Sequence, residues 1–174
     1  MTLTVALQPL TAACFAAFGD VIECAGQPLS INQGQTERYH ALSLPQVAGE
    51  AASIGLSIFR NLQASTLPLQ IDMLERHPQG SQSFIPMDGQ AFVIVVALPL
   101  DDRQPDEAQV CAFLSNGQQG ITYARGVWHH PLITLEAPSN FLVVDRIGTG
   151  HNCDIHQLSQ PCLIRVETAV PVAN

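Results

Sequence analysis

Twelve prolines and twelve glycines are spread through this 174-residue chain and cut it into short segments. Proline interrupts helices and central strands, and glycine favours turns, so long helices are excluded and many short strands are expected. The apolar runs between the breakers agree. Ala91–Leu98 is continuous and rich in β-branched residues, as a strand buried on both faces would be. Shorter runs predict strands over Asp20–Glu23, Gly55–Phe59, Leu69–Leu74, Cys111–Leu114, Ile121–Tyr123, Leu132–Leu135, Phe141–Asp145 and Leu163–Val166. Roughly ten short strands with glycine turns predict an all-β sandwich or barrel. The missing strand–helix alternation argues against a doubly wound fold. One short N-terminal helix is predicted: Thr11 caps it, Ala12–Phe18 forms it and Gly19 ends it. Leu98–Ala108 is polar and turn-forming, and predicts an exposed loop. The length predicts one domain over residues 1–174, with residues 168–174 as a frayed tail.

Composition narrows the function. Charged residues make up 13% and apolar residues 47%, which excludes a disordered chain. All seven basic residues are arginine. Without lysine there is no Schiff-base chemistry, no pyridoxal-phosphate lysine and no Walker-type phosphate lysine. Fifteen acidic residues bring the formal net charge to −8, so no basic stripe exists to neutralise phosphates and no nucleic-acid partner is expected.

The five cysteines (14, 24, 111, 153 and 162) are odd in number and form no C-x-x-C. That argues against a disulfide framework and a zinc ribbon, and for reduced thiols. The first charged residue is Asp20, so the N-terminus lacks the basic region of a signal peptide. The longest apolar run is far too short to span a bilayer. A soluble cytoplasmic protein with no membrane partner is the expectation.

Ionisable side chains concentrate in two stretches. In Leu74-Glu75-Arg76-His77-Pro78-Gln79-Gly80-Ser81-Gln82, strand alternation puts Glu75 and His77 on one face and Arg76 on the other. Pro78 and Gly80 form a turn, after which Gln82 can return beside the same pocket. In Tyr123-Ala124-Arg125-Gly126-Val127-Trp128-His129-His130-Pro131, alternation puts Tyr123 and Arg125 on one face and splits His129 from His130. At most one of the two histidines then enters the cavity, and Trp128 is expected in the core.

The two stretches match the two motifs of the cupin barrel. The first cupin motif, H-x-H-x(3,4)-E-x(6)-G, aligns with Glu75, His77, Gln82 and Gly89, with spacings intact and two ligand types changed. The second, ending P-x-G-x-x-H, aligns with Ala124 to His129, with alanine for proline. Glu75, His77 and His129 offer one carboxylate and two imidazoles, a set suited to a divalent transition metal, with Gln82 at most a weak fourth ligand.

Read as whole words, the chain resembles the bacterial ureidoglycolate lyase family. The words, in order, are Glu37-Arg38-Tyr39-His40, Leu74-Glu75-Arg76-His77-Pro78, Phe84-Ile85-Pro86-Met87, Phe92 to Leu98, Gly117-Gln118-Gln119-Gly120, Val127-Trp128-His129-His130-Pro131-Leu132, Asp145-Arg146 and Asn152-Cys153-Asp154. The resemblance runs from about Leu7 to Cys162. It implies a cupin-like β-barrel, a homodimer, and cleavage of (S)-ureidoglycolate to glyoxylate and urea in allantoin breakdown. It also associates nickel with the activity.

That reaction needs a base, an acid and an anion holder. With no lysine, His77, His129 and Glu75 are the candidate bases, and Tyr123 or His130 could move a proton. Arg125 is the first choice for the substrate carboxylate, with Arg146 and Arg76 as rivals, because a planar guanidinium grips a carboxylate through two hydrogen bonds. Asp145 and Arg146 are otherwise expected as an end-of-strand ion pair. Two other readings share the motifs: another metal-dependent cupin enzyme acting on a small hydroxy acid, and a non-catalytic small-molecule-binding cupin.

Overall fold

The computed structural model describes residues 2–166. The expected frayed tail, 168–174, lies outside them. The first half runs through β1 (Leu3–Pro9), α1 (Ala12–Phe15), β2 (Gly19–Ile22), β3 (Leu29–Ile31), β4 (Thr36–Arg38), β5 (Ser53–Asn61), β6 (Leu69–Arg76) and β7 (Gln82–Pro86). It continues through β8 (Phe92–Ala97), β9 (Cys111–Leu114), β10 (Gly120–Tyr123), β11 (Trp128–His129), β12 (Ile133–Thr134), β13 (Ser139–Ile147) and β14 (Asp154–Val166). The all-β architecture expected from the breakers is observed, and so is the cupin-like barrel that the motifs and the family resemblance imply.

Six strands close on themselves in the order β11-β6-β14-β1-β9-β8, with β8 pairing back to β11 and β12 added beyond it. Within this ring β1 is parallel to both β14 and β9, so it bridges the chain's two ends. A second sheet, β2-β10-β7-β13-β5, packs against one side of the ring. β3 and β4 form a separate exposed hairpin.

The run Ala91–Leu98 shows why the layers stack. Val93, Val95 and Ala97 of β8 point into the ring with Leu74, Trp128 and Ile164. Phe92, Ile94 and Val96 point the other way, against Phe84, Phe141 and Val143 of the second sheet. Each of these β8 side chains is buried, so the strand is apolar on both faces. The ring interior is filled with side chains. The cleft between ring and sheet is apolar at one end, and the functional side chains gather at the other.

Three expectations are corrected. The helix is a single turn, not Ala12–Phe18, although Thr11 does cap it by accepting from the Cys14 N–H at 3.2 Å. Strand β2 begins at Gly19, where an added Cβ would lie 1.8 Å from the Thr122 carbonyl oxygen. That backbone approach between β2 and β10 pulls the chain out of the helix. Strands β1 and β7, the latter carrying Gln82 and Ser83, form where no strand is predicted. β14 runs for 13 residues rather than the predicted Leu163–Val166, with a register shift between Gln157 and Cys162. The loop after β8 is mostly exposed, as expected, but Pro105 is buried.

Candidate active site

The polar end of the cleft has two walls. On the ring wall, His129 of β11 lies directly across from Glu75 of β6. Alternation sends Trp128 into the ring and His129 into the cleft. His77 follows the end of β6, two residues past Glu75 and on the same side. The facing wall is a row on the second sheet. Tyr123 of β10 is in register with Gln82 of β7. One step beyond the Val144–Ser83 pair, Asp145 of β13 meets Gln82, whose Nε2 donates to Asp145 Oδ2 at 3.4 Å.

The imidazoles are fixed in one tautomer. His129 Nδ1 lies 3.0 Å from the Val127 carbonyl and His77 Nδ1 lies 2.7 Å from the Asn152 carbonyl. A carbonyl only accepts, so each Nδ1 carries a proton, and in the neutral ring each Nε2 then presents a bare lone pair. Both Nε2 atoms are buried and have no hydrogen-bond partner among the described residues. Tyr123 stacks flat on His129, with centroids 4.1 Å apart and an interplanar angle of 13°. Burial pushes the His129 pKa down to about 3, so the ring is neutral at ordinary pH. Burial, and secondarily the Glu75 charge, raise the Tyr123 pKa, so it stays a neutral phenol.

Glu75 Oε1 lies 3.7 Å from His129 Nε2 and 4.0 Å from His77 Nε2. Ligands about 2.1 Å from one ion lie no more than about 4.2 Å apart, so these separations suit a shared centre. Two bare buried imidazole nitrogens and a carboxylate oxygen, all within 4.8 Å of one another, can hold a divalent transition metal. Among the described residues the Glu75 Oε2 atom receives only a long contact from the Cys153 thiol, at 3.8 Å.

The centre opens to a cavity of about 400 Å³ lined by His77, Gln82, Asp145, Arg146, Asn152 and others. A smaller cavity of about 200 Å³ touches Glu75, Gln82 and His129, so Gln82 stands between the two. Arg146 is buried. Its Nε donates to the Ala48 carbonyl at 2.8 Å, Nη2 to Thr149 at 2.7 Å and Nη1 to Gly148 at 3.4 Å. Gly80 makes room for it, since a Cβ there would lie 2.6 Å from Arg146 Cβ. Three of its five N–H donors are thus spent on backbone carbonyls.

The structure therefore brings together Glu75, His77, His129, Tyr123 and Gln82, while Arg146, on the opposite face of β13 from Asp145, lines only the larger cavity. It leaves Arg125 and Arg76 elsewhere. β10 ends at Tyr123, and Arg125 sits exposed in the turn that Gly126 completes at φ +80°, so alternation no longer applies to it. Arg76 lies over Trp128, 4.7 Å from its ring centroid, pairs with Asp154 at 2.8 Å and donates to the Asp102 carbonyl. His130 lies with its Nδ1 2.8 Å from the Pro131 carbonyl and lines neither cavity. The expected Asp145–Arg146 ion pair is not among the described contacts: the two side chains leave opposite faces of β13. Sequence reasoning missed Asn152, whose backbone carbonyl sets the His77 tautomer. A backbone partner leaves no trace in residue type, and only the Asn-Cys-Asp word drew attention there.

A closed cupin-like barrel with a carboxylate, two bare imidazoles and a small polar cavity defines an enzyme of the cupin class acting on a small molecule. The family model described as ureidoglycolate lyase matches residues 2–165. A ureidoglycolate lyase of Agrobacterium fabrum is 50% identical over 165 residues, covering 94% of this chain and 97% of the relative. One of Pseudomonas savastanoi is 51% identical over 159 residues (91% and 92%), and one of Pseudomonas fluorescens 53% identical over 154 (88% and 90%). The chain belongs to the ureidoglycolate lyase family, and it is a lyase.

Proposed function

We propose that this enzyme cleaves (S)-ureidoglycolate to glyoxylate and urea, a step of allantoin and purine breakdown. The observation that carries the reading is the convergence of Glu75 with the bare Nε2 atoms of His77 and His129 beside a cavity of small-molecule size, in a chain of this family.

The substrate carries a carboxylate, a carbinol hydroxyl and a ureido nitrogen on one carbon. Cleavage moves one proton from the hydroxyl to the ureido nitrogen while the carbon–nitrogen bond breaks and the carbon–oxygen double bond forms. Glu75, His77 and His129 would hold a divalent metal, nickel by the family resemblance, which when bound supplies Lewis acidity for the hydroxyl and the developing aldehyde oxygen. Glu75 Oε2, with only the thiol contact, is the open basic position. It takes the carbinol proton and returns it to the departing nitrogen. General acid–base help of this kind contributes about 10²–10⁴-fold. Tyr123 holds the His129 ring by stacking and stays protonated. Arg146, the cation lining the larger cavity, takes the substrate carboxylate, and Gln82 holds the substrate's flank.

The enzyme is proposed to be a cytoplasmic homodimer. Five unpaired cysteines support a reducing compartment, and no helix among the described residues is long and apolar enough to cross a membrane. The outer face of the second sheet exposes Ile54, Leu56 and Ile58 along edge strand β5, and an apolar edge of this kind favours a second copy as its cover. The mass of the particle in solution checks the dimer.

The test of function is a paired assay with (S)-ureidoglycolate that follows glyoxylate, urea and ammonia together, before and after chelation. Equal glyoxylate and urea, lost on chelation and restored by nickel, is the expected result. Ammonia in place of urea would make the reaction a hydrolysis, and no turnover with added metal would remove this substrate.

A further inference from the structure

Asp145 is a carboxylate that the acid–base step does not use. It stands half-buried in the cavity wall at the inner face of β13, two residues beyond the core residue Val143. No ion pair to it occurs among the described residues. The cation next to it in sequence, Arg146, leaves the opposite face and binds backbone carbonyls. Its one described side-chain contact is the long bond from Gln82 Nε2, at 3.4 Å. A partly desolvated carboxylate without a cation is unfavourable unless it receives hydrogen bonds from something else. Its acceptor capacity is therefore open toward the cavity, across from His77.

We infer that Asp145, with Gln82 beside it, is the specificity-determining residue that reads the ureido group of the substrate. This rests on the function proposed above and assigns the end of the cavity that the leaving urea occupies. An ionised carboxylate only accepts, and the ureido group is the part of the substrate richest in N–H donors. Gln82 must turn its NH₂ toward Asp145, because a carboxylate cannot donate. Its second N–H then lies next to the carboxylate acceptor. An acceptor and a donor side by side complement the N–H and C=O edge of a ureido group. The same negative charge repels the substrate's own carboxylate, which leaves Arg146 as its partner. The two groups on the reacting carbon are thereby sorted, and one orientation of the substrate is selected.

The experiment is product inhibition of the metal-loaded enzyme, comparing wild type with Asp145→Asn and Asp145→Ser. Urea carries the ureido donors, and glyoxylate carries only the carboxylate and the aldehyde. Both variants should lose about 10²-fold in kcat/KM, since a site built around a hydrogen-bonding group discriminates strongly once the pairing is spoiled. Inhibition by urea should weaken at least about 10-fold while inhibition by glyoxylate stays unchanged, with metal content and melting temperature as in wild type. Urea and glyoxylate inhibition shifting together, or neither shifting, would overturn the assignment. A wild-type enzyme that yields no urea from ureidoglycolate would instead overturn the proposed function, and it does so before any variant is made.

Discussion

Trp128 and His129 are neighbours on one two-residue strand, yet they belong to two different regions. Trp128 enters the closed ring, where Leu74, Val95 and Ile164 fill the space around it. His129 enters the cleft between ring and sheet, where its Nε2 faces Glu75 and meets no hydrogen-bond donor among the described residues. The ring interior is filled with packed, mostly apolar side chains, and Trp128 Nε1 is its one buried side-chain polar atom without a hydrogen-bond partner among the described residues. The cleft's polar end holds two unpartnered lone pairs, an unpaired carboxylate and open volume. Strand alternation alone separates them, so the fold keeps its stability on one side of the ring wall and its chemistry on the other.

Two substitutions break this comparison most directly. Trp128→Ala should cost about 3–5 kcal/mol of stability, because a fully buried aromatic leaves a cavity the ring cannot collapse to fill. Its residual activity per folded molecule should stay within a few-fold of wild type. His77→Ala should do the reverse: turnover falls at least about 10²-fold while urea-denaturation midpoints barely move. A His77 variant with near-wild-type turnover removes that residue from the mechanism. A Trp128 variant of normal stability shows that the ring interior is not what holds the fold.

A smaller effect sharpens the map of the cleft. Arg146→Ala should raise KM for ureidoglycolate about 10-fold, the loss expected when a charged hydrogen-bonding partner is removed. Arg125→Ala should leave KM unchanged, because its guanidinium lies in an exposed turn outside the cavity. If KM rises only in the Arg125 variant, the carboxylate lies toward that turn and not toward Arg146.

The same contrast explains what could be read from the sequence. The β8 run announces burial on both faces because every position in it is apolar. Glu75 and His77 share a face because β6 stays extended almost to His77, and the Pro78–Gly80 turn does bring Gln82 back. Alternation fails at Arg125 because the chain leaves the extended state at Ala124. Strand β1 gives a weak local pattern, and what makes it a strand is parallel pairing with segments more than a hundred residues away. β7 reads as polar because Gln82 and Ser83 are buried in hydrogen bonds, not exposed. Asp145 was expected to pair with Arg146, and adjacency in sequence hid the fact that a strand sends the two to opposite faces.

Acidity gives the smallest effect and separates the two regions without touching the chemistry. In chelator-treated protein, burial holds the folded His129 near a pKa of about 3, against about 6.5 for an unfolded imidazole. The unfolded chain therefore takes up a proton below pH 6.5 that the folded chain refuses until about pH 3. The stability associated with neutral His129 is complete above pH 6.5 and drains away as pH falls from about 6.5 toward about 3. His130 is shifted in the same direction by burial, so wild type carries more than one such contribution. His129→Gln removes the larger shift. Between pH 6.5 and 5.5 its stability curve should be flatter than wild type by at most about 1.4 kcal/mol. Trp128→Ala, which deletes no titrating group, should give a curve parallel to wild type and merely lower. If the His129→Gln curve also runs parallel, the imidazole is not held neutral by the cleft, and its bare Nε2 loses its standing as a ligand.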